Sequence, residues 1–295
     1  MTGEGYRLHE VDPFPFLPSP SHSEYSPVIN TGRLAMFLVN SFYCIHSPAS
    51  LPLKHRYGGA ATMSQTTRKI RIFGDSIMKG AVYNEEDDRY ITIDDNRLTE
   101  LEARLGIEIQ NNTLFGCTVA KGRQLLQRAI AKGLDCDTAL LEFGGNDCDY
   151  RWDEVSERPQ EEHQSNTPVD IFEATLKTMI TTLKAMNVVP VLMTLPPIIS
   201  ERYLTHICRN GLDRGNILQF LGEVGNIERR QELYSLKIAM IALETQTQLI
   251  DIRSGFLARR DCSSLICADG IHPNERGHEL IMHLLSQYGS VRIPA

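Results

Sequence analysis

Three short clusters of polar residues contain the residue types that nucleophilic catalysis needs. They read GDSI at residues 74–77, GGND at 144–147 and DGIHPN at 269–274. A serine hydroxyl becomes a good nucleophile only when a base takes its proton, and the base needs an acceptor that orients it. Glycines and asparagine add the N–H donors that stabilise a developing oxyanion. Together the three clusters predict a serine hydrolase.

The third cluster places a carboxylate three residues before a histidine. One loop could therefore hold both Asp269 and His272, so that the carboxylate accepts from one imidazole nitrogen while the other nitrogen faces a hydroxyl. Ser76, on a turn in the first cluster, is the candidate for that hydroxyl. In the second cluster, Asn146 can offer a side-chain N–H group to an oxyanion.

Alternating strands and helices are predicted from residue 69 onward. Short apolar runs predict strands at 70–73, 107–109, 138–143, 188–193 and 249–252. Helical periodicity or composition predicts helices at 96–105, 125–133, 167–186, 233–243 and 280–288. This order predicts a parallel sheet covered by helices on both faces. The three polar clusters follow the first, third and fifth strands, at the sheet edge where ligands bind in such folds.

These blocks, with a glycine-bearing turn at Gly116, resemble the SGNH (GDSL-like) hydrolase family. The resemblance covers residues 69–288 and departs from the family name only at Ile77, where the family has leucine. It implies a flavodoxin-like three-layer α/β/α sandwich with a five-stranded parallel sheet. That strand count agrees with the one obtained from the apolar runs.

The resemblance also implies a role for each matching residue. Ser76 would be the nucleophile and an oxyanion donor through its backbone N–H, His272 the general base and Asp269 the residue that orients it. Gly116 and Asn146 would complete the oxyanion hole. Gly122 is an alternative to Gly116, because the sequence match around the turn is short.

The bulk composition excludes several function classes. The chain has 295 residues and a formal net charge of −7, which argues against a nucleic-acid partner. Its seven cysteines form no CxxC pair, so we expect reduced thiols in a cytoplasmic protein and no structural zinc site. Neither a metal nor a cofactor is needed for the predicted chemistry.

The first 62 residues differ from the rest of the chain. They hold seven of the fourteen prolines and show no amphipathic period, so we expect an extended, disordered segment followed by a hydrolase domain at 63–295. The apolar run at 34–45 is too short to cross a bilayer, and no membrane partner is expected. Secretion through this run as an atypical signal is the alternative. The oligomeric state is not predicted.

Two further features concern the surroundings of the site. Glu142 lies inside an apolar strand, and Arg71 is the natural ion-pair partner if their strands are neighbours. The charged insertion at 147–162 could be a substrate wall, a lid or a solvated loop. Asp75, Tyr150 and Trp152 are candidate substrate-pocket residues, the two aromatics only if they point inward.

The predicted activity is hydrolysis of a small-molecule carboxylic ester, with acetyl groups on carbohydrate as the first substrate hypothesis. An acyltransferase would use the same acyl-enzyme, and a lysophospholipase or thioesterase would use the same triad. A binding module on this fold is a further alternative, but it would not need the serine, histidine, aspartate and asparagine together.

Overall fold

The computed structural model describes residues 67–93 and 96–292. The strands are β1 (Arg68–Gly74), β2 (Ala81–Asn84), β3 (Arg89–Thr92), β4 (Ile107–Thr113), β5 (Thr138–Leu141), β6 (Val189–Met193) and β7 (Gln248–Ile250). The helices are α1 (Asn96–Leu105), α2 (Val119–Ala131), α3 (Gly145–Cys148), α4 (Trp152–Glu157), α5 (Val169–Ala185), α6 (Ser200–Cys208), α7 (Arg214–Leu221), α8 (Asn226–Glu244), α9 (Ile252–Leu257) and α10 (Glu275–Arg292), with a 3-10 turn at Cys262–Leu265.

Five strands form one parallel sheet in the order β4-β1-β5-β6-β7. Counted along the chain, the sheet strands follow the flavodoxin-like order 2-1-3-4-5. The direction of winding reverses between β1 and β5, so the loops that follow these two strands diverge and leave a crevice. The predicted fold class and the five predicted strands are confirmed.

Successive residues along each strand point alternately to the two faces of the sheet. Phe73, Leu141 and Leu192 lie level with one another and pack in one buried cluster with residues of α2, α5 and α8. The intervening positions, such as Ile72 and Leu140, pack in a second cluster with residues of α1, α9 and α10. This alternation gives each face its own layer of helices and fixes the register of the strands.

A third apolar cluster lies outside these two layers. It is formed mainly by α4, α6 and α7, with Trp152, Val155, Leu204 and Ile217 among its buried members. The charged insertion at 147–162 enters this cluster through α4. The antiparallel hairpin of β2 and β3 is also separate from the main sheet.

The predicted ion pair between Arg71 and Glu142 is wrong. Arg71 lies level with Ala139, whereas Glu142 follows Leu141 and lies level with Gly74. Three residues of strand separate the two side chains by about 10 Å, and the odd spacing points them to opposite faces of the sheet. Arg71 instead donates from Nε to Asn112 Oδ1 at 2.7 Å.

The predicted helix at 233–243 is present as part of α8, but its leucine-rich stripe does not face the core. Leu236 and Leu243 are 60% and 73% exposed, whereas Tyr234 and Ile238 are buried. Two apolar faces therefore run along α8, and the less obvious one packs against the sheet.

Residues 1–66 lie outside the described part of the chain, and with them the predicted disordered segment and the apolar run at 34–45. Within residues 67–93 and 96–292, no helix is both long enough and apolar enough to cross a bilayer.

Candidate active site

Ser76, His272 and Asp269 meet at the carboxyl end of the sheet, although 196 residues separate the serine from the histidine. The Ser76 Oγ lies 2.9 Å from His272 Nε2, and His272 Nδ1 lies 2.6 Å from Asp269 Oδ2. All three residues are buried, Asp269 completely. In the tautomer that this chain of contacts favours, Nδ1–H donates to the carboxylate and Nε2 accepts from the hydroxyl.

The backbone of the last loop holds Asp269 in place. Its Oδ1 accepts from the N–H groups of Ile271 and His272, both at 3.2 Å. Burial opposes ionisation of this carboxyl, but the hydrogen bond and the charge of the imidazole, with the two N–H groups, hold its pKa below the usual value. Asp269 is therefore an ionised acceptor that orients the imidazole.

Ser76, Gly116 and Asn146 are the predicted oxyanion donors. Gly116 forms a turn with φ of +62°, a conformation that glycine adopts without strain, and this turn lies beside Asn146. Among the described residues, no hydrogen-bond acceptor engages the backbone N–H of Ser76 or Gly116. Asn146 Nδ2 donates one hydrogen to Asp75 Oδ2 at 2.8 Å, and its second hydrogen remains available.

Gly122, the alternative donor, lies inside α2. Its N–H donates to Thr118 O at 2.8 Å and is therefore already used by the helix. The geometry thus favours Gly116 over Gly122 as the donor.

Asp75 belongs to the framework behind the site. It is 1% exposed, and its Oδ1 accepts from the Ile77 N–H at 2.8 Å while Oδ2 orients Asn146. Asp75 lines the pocket, but both of its carboxylate oxygens accept hydrogen bonds from the protein. It is therefore a positioning residue rather than a residue that contacts the ligand.

Glu142 supports the same turn from the neighbouring strand. Its Oε2 accepts from the Asp75 N–H at 3.0 Å, and a Cβ at Gly74 would lie only 2.7 Å from that oxygen. Complete burial, together with the negative charge of Asp75, raises the pKa of Glu142 well above its ordinary value. This shift favours the protonated acid, which does not carry the cost of an unpaired buried charge.

Beside the triad lies a pocket of about 100 Å³, lined in part by Ser76, Asn146 and His272. The predicted pocket residues Tyr150 and Trp152 also line it, with their ring centroids 5.3 Å apart. The Trp152 Nε1 donates to Asp149 Oδ1 at 2.7 Å. Of the interpretations offered for the 147–162 insertion, the pocket wall is the one that these contacts favour.

Two residues beside the site escaped the sequence analysis. Tyr90, in the β2–β3 hairpin, has its ring centroid 4.8 Å from that of His272, and its hydroxyl lies 3.0 Å from His206 Nε2. The only signal for the hairpin is a pair of short runs, each containing a tyrosine, on either side of the turn sequence NEEDD. Arg230, on α8, also lines the pocket, and no motif marks it.

Within the described ranges, no group of three or more histidine, cysteine or acidic side chains is arranged to hold a metal ion. The six described cysteines are unpaired, and the two nearest the oxyanion donors, Cys117 and Cys148, are buried.

Comparison with known proteins decides the family. The model of the GDSL-like lipase/acylhydrolase family matches residues 72–280. The chain belongs to this family. The matched range spans all three polar clusters, from the strand before Ser76 to the helix after His272. No curated protein sequence matches the chain.

Two solved structures of acyl-ester-cleaving proteins share the fold. A lipase/acylhydrolase from Enterococcus faecalis aligns with a TM-score of 0.54 at 20% identity, covering 77% of this chain and 97% of that one. A variant of an acetyl xylan esterase from Geobacillus stearothermophilus aligns with a TM-score of 0.54 at 19% identity, with the same two coverages. Each of these two structures aligns over nearly its whole length.

Proposed function

We propose that this GDSL-like protein hydrolyses carboxylic esters through an acyl-enzyme on Ser76. The observation that carries the proposal is the unbroken chain from Ser76 Oγ through His272 to Asp269, with contacts of 2.9 and 2.6 Å. These distances lie within the reach required of a nucleophile and its base before substrate binds.

In the first step, Ser76 Oγ bonds to the ester carbonyl carbon while His272 Nε2 takes the hydroxyl proton. The carbonyl oxygen gains the negative charge and accepts hydrogen bonds from the N–H groups of Ser76 and Gly116 and from Asn146 Nδ2. Each such donor typically accelerates the reaction about 10²- to 10³-fold. Collapse of the intermediate breaks the bond to the alcohol oxygen, which leaves with the proton from His272.

In the second step, water replaces the alcohol. His272 takes a proton from the water as its oxygen attacks the acyl carbon, and the same donors hold the second oxyanion. When this intermediate collapses, the proton returns to Ser76 Oγ and the carboxylic acid is released. Throughout, Asp269 accepts from Nδ1 and stabilises the imidazolium that forms.

For the substrate, we propose a short acyl group, with acetyl esters of carbohydrate as the leading candidate. A pocket of about 100 Å³ suits a small acyl group better than a long chain. Tyr90 is 37% exposed beside His272, where an aromatic face could support a sugar ring.

The decisive experiment compares Ser76→Ala with wild type on p-nitrophenyl acetate, butyrate and octanoate. We expect the variant to lose at least about 10³-fold in kcat/KM and to lose labelling by a fluorophosphonate, with no loss of folding stability. Replacement of the exposed Ser263 by alanine is the matched control and should change neither readout. Full activity or labelling of a folded Ser76→Ala protein would contradict the proposal.

A further inference from the structure

Arg230 is a cationic side chain in the wall of the pocket that contains Ser76 and His272. It lies in the second turn of α8, and its Nη2 donates to Ser165 Oγ at 2.9 Å. The guanidinium carbon lies 5.1 Å from the centroid of the Tyr150 ring and 5.9 Å from that of Tyr234. These neutral contacts hold the guanidinium group in position without neutralising it.

The positive charge of Arg230 has no carboxylate partner among residues 67–93 and 96–292. No acidic oxygen in these ranges lies within 4.0 Å of the guanidinium, and its Nε is a buried donor without an acceptor. Its neighbour Arg229 pairs with Glu223, and Arg253 contacts Glu232 at 3.1 Å. Leaving a buried donor without an acceptor is unfavourable, and more so when the group is charged. An anionic ligand in the pocket would pair with the charge of the guanidinium group.

The acidic residues lining the same pocket do not supply this anion. Asp149 directs its two carboxylate oxygens to Trp152 Nε1 and the Tyr203 hydroxyl, and burial raises its pKa to about 6. Asp75 is engaged with Asn146, and Glu142 accepts from the Asp75 N–H, with its pKa raised well above the ordinary value by burial. The pocket therefore keeps a cation beside a largely apolar surface that includes Leu195 and Ile198.

We propose that Arg230 binds a carboxylate carried by the ester substrate. This inference rests on the proposed function and narrows its substrate class. A planar guanidinium matches a carboxylate through two parallel N–H···O bonds, and a single negative charge needs no second cation. The carboxylate could belong to the acyl group, as in a hemiester of a dicarboxylic acid, or to the alcohol, as in an acetylated sugar acid.

The test measures kcat/KM for two matched pairs of substrates. The acyl-side pair is p-nitrophenyl hemisuccinate and p-nitrophenyl butyrate, and the alcohol-side pair is acetylated galacturonic acid and acetylated galactose. In one of these pairs, wild type should favour the charged ester at least about tenfold. The charged-to-neutral ratio should fall about 10- to 100-fold in Arg230→Gln and partly recover in Arg230→Lys.

Arg229→Gln is the matched control, because Arg229 is the adjacent arginine on the same helix but is exposed and outside this pocket. Its charged-to-neutral ratio should equal that of wild type. Expressing each result as a ratio within one variant removes differences in the amount of active protein.

A binding measurement keeps the inference testable if the Arg230 variants fold poorly. Succinate or galacturonate should raise the Tm of Ser76→Ala and competitively inhibit wild-type hydrolysis of p-nitrophenyl acetate, while butyramide should not. The assignment to Arg230 would be overturned if Arg230→Gln kept the wild-type charged-to-neutral ratio in both substrate pairs. Inhibition that does not depend on the charge of the inhibitor would overturn it as well. Hydrolysis that survives in Ser76→Ala would instead overturn the proposed function, so the two failures are distinguishable.

Discussion

Two parts of the pocket are built in different ways. The catalytic loops (residues 74–77, 116, 144–147 and 269–272) are positioned by the ends of β1, β4 and β5 and, at 269–272, by hydrogen bonds from the backbone to Asp269. The helical wall (α4, α6 and α7) is positioned by packing of apolar side chains in its own small cluster. Tyr203 links this cluster to the pocket, where its hydroxyl donates to Asp149 Oδ2 at 2.6 Å.

Because of this difference, we expect the catalytic loops to determine the rate of the reaction and the helical wall to determine which substrate fits. Backbone turns after the adjacent strands β1 and β5, together with the hydrogen-bonded loop at 269–272, restrict the catalytic atoms to a narrow range of positions, which chemistry requires. A side-chain cluster tolerates substitutions that conserve volume, and such substitutions can alter the shape of the pocket. We therefore expect substitutions in the catalytic loops to affect the rate, and substitutions in the helical wall to affect stability and selectivity.

The largest effect is expected for Asp269→Asn. The amide cannot stabilise the imidazolium as a carboxylate does and favours the wrong imidazole tautomer, so kcat should fall about 10³- to 10⁴-fold. The measurement is hydrolysis of p-nitrophenyl acetate, with the exposed Asp170→Asn as control. A loss smaller than tenfold in a folded protein would show that Asp269 does not orient His272.

A smaller effect, on stability rather than on chemistry, is expected for Ile217→Ala. Ile217 is fully buried in the helical wall and does not line the pocket. The cavity should lower the free energy of unfolding by about 3 kcal/mol in denaturant titrations. Leu236→Ala, at an exposed position on α8, should change it by less than about 0.5 kcal/mol.

Labelling of Ser76 by a fluorophosphonate then sharpens the comparison. If the catalytic loops are positioned independently of the helical wall, folded Ile217→Ala should be labelled at a rate within about tenfold of wild type. Loss of labelling without unfolding would show that the two parts are coupled.

The smallest effect concerns the pH dependence of stability at Asp149. Its pKa rises from an ordinary value of 3.8 in the unfolded chain to about 6 in the fold because the carboxyl is buried. The folded state therefore holds the proton more tightly, and the stabilisation present below pH 4 is lost as the pH rises through 6. Relative to Asp149→Asn, wild type should lose about 1–3 kcal/mol of unfolding free energy between pH 4 and 7. A difference that stays constant across this range would contradict the shift.

The sequence was most informative where local pattern and backbone geometry coincide. Apolar runs predicted the five sheet strands, and the rule that ligands bind at the carboxyl ends of parallel strands predicted that Ser76 and His272 would lie at the same edge. The third polar cluster does not directly follow β7, however, because α9 and the 3-10 turn lie between them. The Asp-x-x-His spacing likewise predicted the contact between Asp269 and His272, because one turn carries both residues. Their catalytic roles remain predictions until the variants are measured.

The sequence was least informative where distant side chains must be matched. The Arg71–Glu142 pair failed because neither the register nor the facing of two strands can be read from their separate sequences. Arg230 could not be found, because it lies 154 positions after Ser76 with no motif around it. The sequence also could not show which face of α8 is buried, because the exposed leucine stripe and the buried face are both apolar.

Gly74 and Glu142 have a consequence for redesign of this scaffold. Because the carboxyl of the adjacent strand fills the space where a side chain at position 74 would lie, the nucleophilic turn is braced from inside the sheet. The contact between Gly74 and Glu142 lies on β1 and just after β5, apart from the helices around the opening. Loops at the opening can therefore be exchanged to create new selectivities, provided that Gly74 and Glu142 are both retained.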